Sequence, residues 1–242
     1  CGASVQKHGP VCFTRSDYLA DSLKSLGFSL RRFKTGTPAR LAGKTIDFNK
    51  LEVQPGDEVP YTFSALTKKQ PKNTTVCYLG YTNSKTHDII RAALPDSPRK
   101  LGLITGTGAR YCPSIEDKIV RFSDKPRHAF FLEPEGVGTD EWYIQGISTS
   151  LPPAVQRDMY RSIVGLENVE IVRDAYAIEY ECIDARELYP FLMSKNIPGL
   201  FFAGQINGTS GYEEAAAQGM LAGINASAYL RGIDPLVLDR TN

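Results

Sequence analysis

The chain has 242 residues, 42% of them hydrophobic, and its 28 lysine and arginine residues nearly balance its 27 aspartate and glutamate residues. This composition predicts a globular protein with one large domain or two interleaved ones, and it argues against nucleic-acid binding through net charge alone. Five cysteines without a C-x-x-C pair and three scattered histidines predict neither disulfides nor a metal site. Without a membrane-length apolar run or a signal peptide, we expect a cytoplasmic protein with no membrane association.

Hydrophobic spacing and turn residues predict mixed helices and strands along the chain. In chain order these are a helix over 16–26, a strand over 28–33, a strand over 76–81, a helix over 84–94, strands over 118–122, 129–132 and 142–147, a helix over 152–163, strands over 169–172 and 177–180, a helix over 184–192, a strand over 200–203 and a helix over 212–229.

Particular residues refine this prediction. Ser16 and Ser150 are placed to cap the helices that follow them. Residues 42–75 are rich in turns and indicate an inserted, loop-heavy subdomain. The three short strands between 118 and 147 suit an antiparallel sheet, whereas the apolar run 200–203 is typical of a central strand buried on both faces.

Cys112 is the candidate for covalent chemistry, because it lies between the cations Arg110 and Lys118 and follows a flexible glycine run. Nearby cations lower the pKa of a thiol and raise the fraction of the reactive thiolate. Two other interpretations remain open: the cysteine is a small buried apolar group, and the surrounding charges, including Glu116 and Asp117, form a solvated salt-bridge cluster.

The segment 204–211 is a glycine-rich loop between the strand predicted at 200–203 and the helix predicted at 212–229. Glycines let backbone N–H groups approach a ligand, and a helix N-terminus favours anionic or carbonyl oxygens, so this pattern is typical of a nucleotide site. The alternative is that Gly204 and Gly211 only form a tight turn. No G-x-G-x-x-G follows a strand, and the chain opens at Cys1, so we expect a piece of a longer protein with its pyrophosphate-binding loop upstream.

A basic segment provides a local surface for phosphates. Between residues 31 and 50 there are six cations and one acid, a net charge of +5. We expect RNA contacts there from Arg31, Arg32, Lys34, Arg40 and Lys44. Phe33 and Phe48 in the same stretch are expected in a core rather than stacked on a base.

Five motifs carry a resemblance to one family. These are RFKTGTPAR at 32–40, TIDFNKLEVQPGDE at 45–58, RYCPSIEDKIVRF at 110–122, FLEPEG at 131–136 and FFAGQINGTSGYEEAAAQG at 201–219. In this order they resemble the large flavoprotein subunit of the tRNA uridine 5-carboxymethylaminomethyl modification enzyme, the GidA or MnmG family. The resemblance spans nearly the whole chain.

The resemblance implies an FAD-dependent enzyme that uses NADH and methylene-tetrahydrofolate. Such an enzyme acts on tRNA with a GTPase partner, forms a homodimer at full length, and adds a carboxymethylaminomethyl or aminomethyl group to C5 of the wobble uridine. Two alternatives are kept: the related folate- and FAD-dependent tRNA uracil methyltransferase, and a non-catalytic fragment that binds tRNA or a partner.

The resemblance also implies roles for individual residues. Cys112 matches the family's catalytic cysteine, Gly204 and Gln205 match a flavin-contacting loop, and Ser16 matches another FAD contact. The segment implied to bind a dinucleotide comprises Gly108, Ala109, Arg110, Tyr111, Cys112, Pro113, Ser114, Ile115, Glu116, Asp117, Lys118, Ile119, Val120, Arg121 and Phe122.

The fold implied is mixed α/β, part of a glutathione-reductase-like FAD-binding domain with an inserted smaller α/β subdomain. We expect the first part of that domain at 1–40, the insert at 41–105, the second part at 106–230, and a linker at 231–242.

Overall fold

The computed structural model describes residues 1–6, 9, 13–14, 16–108 and 112–239. Its helices and strands, in chain order, are α1 (Asp17–Ser25), β1 (Leu30–Thr37), β2 (Arg40–Ala42), β3 (Glu52–Gln54), β4 (Cys77–Tyr81), α2 (Ser84–Ala93), β5 (Thr107–Gly108), α3 (Ile115–Arg121), β6 (Ala129–Pro134), β7 (Glu141–Gln145), α4 (Pro153–Arg161), β8 (Ile171–Arg173), β9 (Tyr176–Ile183) and α5 (Tyr212–Leu230).

The chain divides into two compact units, each assembled from separate stretches of sequence. The first comprises Cys1–Gln6, Thr35–Ile104 and Arg110–Ala177; the second comprises Lys7–Lys34, Thr105–Ala109 and Ile178–Asn242. This is a division by contacts, and the four expected domain segments stay a prediction.

The first unit is built on a six-stranded sheet with the strand order β3-β4-β6-β7-β2-β8. The ladders are antiparallel, so the arrangement predicted for 129–132 and 142–147 is confirmed. Alternation along β6 buries Phe130 and Leu132 and leaves Phe131 exposed. These side chains join a core with Ile90 of α2 and Met159 of α4. Phe48 also packs here, against the rings of Tyr78 and Trp142, as the core interpretation expected.

The strand predicted at 118–122 is wrong, because this stretch belongs to helix α3. Ser114 begins the helix with a capping box: its hydroxyl accepts from the Asp117 N–H, and the Asp117 carboxylate accepts from the Ser114 N–H. Ile115 and Ile119, four residues apart, are both fully buried on one helical face. Cap and spacing together favour a helix over a strand.

The second unit contains the three-stranded sheet with the order β5-β1-β9, to which it contributes β5, residues 30–34 of β1 and residues 178–183 of β9. β5 and β1 are parallel, with Phe33 opposite Thr107 and Lys34 opposite Gly108. A smaller core includes Leu23 of α1, Phe28 and Phe202, whose aromatic rings meet edge to face at 5.2 Å.

Two further predictions in the second unit are wrong. Residues 200–203 form no strand: Phe201 makes one isolated bridge to Met193, and the run lies between the left-handed glycines Gly199 and Gly204. The helix predicted at 184–192 is one 3₁₀ turn, Ala185–Glu187, which ends before Pro190.

The two predicted serine caps are also wrong. Ser16 precedes α1 without a side-chain cap bond, and the residue before α4 is Pro152, not Ser150. The remaining helices lie within two residues of their predicted ends. Residues 42–75 hold the last residue of β2, two 3₁₀ turns and β3 besides loops, as expected.

Candidate active site

The Cys112 thiol lies in the first unit beside the end of β1. Its side chain is half-buried, and the Thr35 hydroxyl donates to its sulfur across 3.5 Å. The Cys112 thiol in turn donates to the Gly36 carbonyl oxygen at 3.7 Å. Cys112 is therefore neither fully buried in an apolar core nor open on all sides, and a hydroxyl donor is already directed at its sulfur.

Lys118 supplies a fixed positive charge near this thiol. Its ammonium donates to the Gly146 carbonyl oxygen at 2.6 Å. Burial lowers the pKa of Lys118, while the negative charge of the Cys112 thiolate acts in the opposite direction.

Glu116 is the buried acid of this helix, with only 7% of its surface exposed. Its Oε1 accepts from the Thr149 hydroxyl at 2.9 Å and from the Ser150 N–H at 3.0 Å. The alternative of a solvated salt-bridge cluster is thus wrong for Glu116. The salt-bridge interpretation fits Asp117 better, because the Arg99 guanidinium lies 3.6 Å from its carboxylate.

The other residues of the segment implied to bind a dinucleotide lie in different parts of the structure. Gly108 lies on β5 in the second unit, whereas Ala109, Arg110 and Tyr111 lie outside the described residues. Pro113 and Ser114 lead into α3, where Ile115 and Ile119 face the core. Val120, Arg121 and Phe122 are exposed at its end.

Sequence reasoning missed a second polar group of the first unit, formed by Thr37, Arg40 and Tyr143. The Arg40 guanidinium stacks on the Tyr143 ring, 4.4 Å from its centroid, and its Nη1 donates to the Thr37 hydroxyl at 3.0 Å. The available signal was the alternation Thr35-Gly36-Thr37, which places both hydroxyls on one face of a strand.

Two neighbouring histidines of the first unit were also missed, the buried His87 and the half-buried His128. Their rings are 5.2 Å apart, the Thr82 hydroxyl bonds His87 Nε2 at 2.7 Å, and His128 Nε2 is buried without a hydrogen-bond partner in the described structure. Burial is the main cause that lowers the pKa of each.

In the second unit, the loop before α5 contains buried polar atoms without hydrogen-bond partners in the described structure. Gly204 has a left-handed backbone, and its N–H donates to Gln218 Oε1 at 2.9 Å. Asn207 Oδ1 and the Thr209 hydroxyl are buried and lack protein partners in the described structure. Gln205 is exposed beside them.

The second unit also holds Ser16, which is exposed at the start of α1. Glu179 is a missed residue here: its Oε1 accepts from the Thr105 N–H at 2.9 Å and the Gly106 N–H at 2.6 Å, fixing the approach to β5.

The predicted RNA-binding cations differ in whether a carboxylate pairs with them. Arg31 pairs with Asp184 at 2.7 Å, Arg32 pairs with Glu179 and Glu181, and Arg40 pairs with Glu135. Lys44 is exposed, and Lys34 is only 8% exposed; neither side chain has a polar partner in the described part of the chain. The charge of +5 counted along the sequence is therefore largely offset by carboxylates from distant segments.

The described residues contain no group of three or more histidine, cysteine, aspartate or glutamate side chains that could hold a metal ion. Likewise, no helix in the described ranges has the length and apolar character needed to span a membrane.

Comparisons with known proteins give consistent results. The model of a family described as glucose inhibited division protein A matches residues 1–234. Relatives named tRNA uridine 5-carboxymethylaminomethyl modification enzyme MnmG, from Caldicellulosiruptor saccharolyticus and Exiguobacterium sibiricum, are 56% and 58% identical over 240 residues. These matches cover 99% of this chain but 38% of each relative.

Solved structures match as well. Aquifex aeolicus GidA aligns with a TM-score of 0.88 at 51% identity in one crystal form and 0.90 at 53% in another. Each match covers 99% of this chain, and 38% or 41% of the solved chain. The mixed α/β fold class is thereby confirmed.

Proposed function

Because the chain belongs to the glucose inhibited division protein A family, we propose that it is part of an FAD-dependent enzyme that modifies the wobble uridine of tRNA. The names of its relatives support this activity, in which a carboxymethylaminomethyl or aminomethyl group is added to C5 of the uridine. The chain spans 38% of these relatives' length, so the activity is proposed for the longer protein of which this chain would supply one part.

The environment of Cys112 is the observation that carries the proposal. C5 of a uridine reacts with an electrophile more readily once a nucleophile has added to C6, because the ring then behaves as an enolate. A thiolate suits this addition. Cys112 combines partial exposure, a hydroxyl donor from Thr35 and the nearby Lys118 ammonium, so its sulfur is accessible and lies close to a hydrogen-bond donor and a cation.

The loop before α5 fits the polar edge of a flavin. Such an edge offers both acceptors and a donor, and the loop holds the unpartnered acceptor Asn207 Oδ1 and the unpartnered Thr209 hydroxyl, which can donate. The residue before α5 is Gly211, which has no side chain to cap the first-turn N–H groups. Gly204 and Gln205 would hold the cofactor together with these atoms, and Ser16 is a further proposed contact. When bound, FAD would supply the redox chemistry.

The remaining ligands and partners are proposed from the family. NADH and methylene-tetrahydrofolate would serve as reductant and one-carbon donor, with the segment 108–122 involved in dinucleotide binding. A GTPase partner, homodimerisation at full length and a cytoplasmic location complete the proposal. For tRNA, Lys44 is the strongest of the proposed contacts, because its ammonium is exposed and uncompensated in the described structure.

Replacing Cys112 by serine in the full-length protein tests the proposal. We expect Cys112→Ser to retain flavin and tRNA binding but to lose wobble-uridine modification, measured by mass spectrometry of the tRNA nucleosides. Cys77→Ser is the matched control, because Cys77 is also a free, half-buried thiol of the first unit. Normal modification by Cys112→Ser would refute the catalytic role, and a methyl product from the wild type would favour the uracil methyltransferase alternative.

A further inference from the structure

One face of β1 links the Cys112 thiol to the Tyr143 phenol. Alternate residues of a strand point to the same side, and two residues span about 6.6 Å along it. The Thr35 hydroxyl contacts the Cys112 sulfur at 3.5 Å. Two residues further, the Thr37 hydroxyl accepts from the Arg40 guanidinium at 3.0 Å, and that guanidinium stacks on the Tyr143 ring at 4.4 Å. The thiol and the phenol therefore lie along the same side of one short strand segment, within the first unit.

Three contacts hold Tyr143 in place. Its backbone is fixed in the centre of the sheet, where it pairs with Glu133 of β6 on one side and with Arg40 of β2 on the other. The Arg40 guanidinium covers its ring at 4.4 Å, and Arg40 also bonds the Thr37 hydroxyl at 3.0 Å. Backbone pairing with two neighbouring strands and a guanidinium over its ring hold the Tyr143 phenol in one direction, as a preorganised hydrogen-bond donor requires.

The protonation state suits a donor. Burial is the main cause that raises the pKa of Tyr143, against weaker lowering effects of Thr37 and Arg40. The phenol consequently keeps its proton at neutral pH. A neutral phenol has one O–H to donate, whereas a phenolate has none.

We propose that Tyr143 is a further catalytic residue, whose O–H donates to O4 of the uracil ring when Cys112 adds to C6. This inference deepens the proposed function and rests on it. In the step, the sulfur lone pair forms the S–C6 bond, the C5=C6 electron pair moves toward C4, and the C4=O pair moves onto O4. Tyr143 shares its proton with this developing enolate oxygen. When the thiolate leaves, the same electron pairs return and the phenol recovers its proton.

The test follows C6 addition without requiring turnover of the cofactors. In heavy water, a deuteron adds to C5 of the enolate; loss of the original C5 proton and departure of the thiolate then return a uridine labelled at C5. The full-length protein is incubated with unmodified tRNA, and deuterium at the wobble uridine is measured by mass spectrometry. Flavin content and the Kd for tRNA are measured in parallel.

We expect the wild type to exchange this hydrogen and Tyr143→Phe to exchange it about 100- to 1,000-fold more slowly, the usual loss for one oxyanion donor. Tyr81→Phe is the matched control, because Tyr81 lies on the same sheet with the Arg127 guanidinium 3.9 Å from its ring centroid. Its exchange should equal that of the wild type. Exchange by Tyr143→Phe within threefold of the wild type would overturn the inference and leave the proposed function standing.

If the wild type itself shows no exchange, C6 addition fails, and with it both the nucleophilic role of Cys112 and this inference. Should Tyr143→Phe not fold, Tyr143→3,5-difluorotyrosine keeps the shape of the ring and makes the phenol more acidic. Its exchange should then fall away at a lower pH than that of the wild type, because the phenol loses its donor proton earlier. An unchanged pH profile would overturn the role of the phenol.

Discussion

The buried carboxylate of Glu116 should stabilise the contact between helix α3 and the segment that contains Thr149 and Ser150. Its Oε1 accepts two hydrogen bonds, from the Thr149 hydroxyl and the Ser150 N–H, whereas its buried Oε2 has no hydrogen-bond partner in the described structure. Hydrogen bonds to a charged group contribute about 1.5–3 kcal/mol each, and removing their acceptor leaves two buried donors unpaired. Glu116→Ala should therefore cost about 3 kcal/mol or more. Glu116→Gln keeps an acceptor oxygen and should cost less.

Amide hydrogen exchange at Ser150 measures this loss directly, because that N–H is one of the two donors. A loss of about 3 kcal/mol corresponds to exchange roughly 100-fold faster or more if local opening is governed by this bond. Glu170→Ala is the control, since Glu170 is exposed and its side chain has no polar partner in the described structure. Unchanged protection of Ser150 in Glu116→Ala, or equal losses in the alanine and glutamine variants, would refute the argument.

The other predictions concern pH and salt. Because burial lowers the pKa of His128 in the folded state, the unfolded chain binds more protons below about pH 6.5, so stability should be full above that pH and fall as the pH drops further. Urea unfolding between pH 5 and 7 should show this slope, and His128→Asn should reduce it, leaving the contribution of His87; an unchanged slope would contradict the assignment. Lys44→Ala should weaken tRNA binding and reduce the slope of log K against log salt by about one. Arg31→Ala, which removes a cation already paired with Asp184, should change that slope less; equal effects would contradict the difference in compensation.

The sequence predicts best those elements that local spacing and turns determine. The helix α2 and the strands β6 and β7 appear within two residues of their predicted ends, because their apolar periods and flanking turns agree. The strand prediction for residues 200–203 was wrong because hydrophobicity alone does not show whether a partner strand exists. There, glycines on both sides turn the backbone, and Phe202 is buried by side chains instead.

The candidate site was only partly predictable for a related reason. Cys112 stands out because its neighbours in sequence are charged, but Thr35 contacts it from 77 residues away, and Tyr143 lies on a strand 31 residues further along the chain. Likewise, counting charges from 31 to 50 missed Asp184 and Glu135, which pair with Arg31 and Arg40 from far along the chain. Long-range pairing in a sheet is what local patterns leave undetermined.

The position of the Lys118 charge depends on the backbone of the neighbouring hairpin rather than on another side chain. Gly146 follows β7 with φ near 98°, a conformation that a residue with a Cβ rarely adopts, and an added Cβ would lie 3.1 Å from the Ala129 carbonyl oxygen. That conformation sets the direction of the Gly146 carbonyl, which accepts from the Lys118 ammonium at 2.6 Å. The register of β6 and β7 thus determines where the Lys118 cation lies. The same register places Tyr143, so one pair of strands positions both the cation near Cys112 and the donor proposed for the enolate.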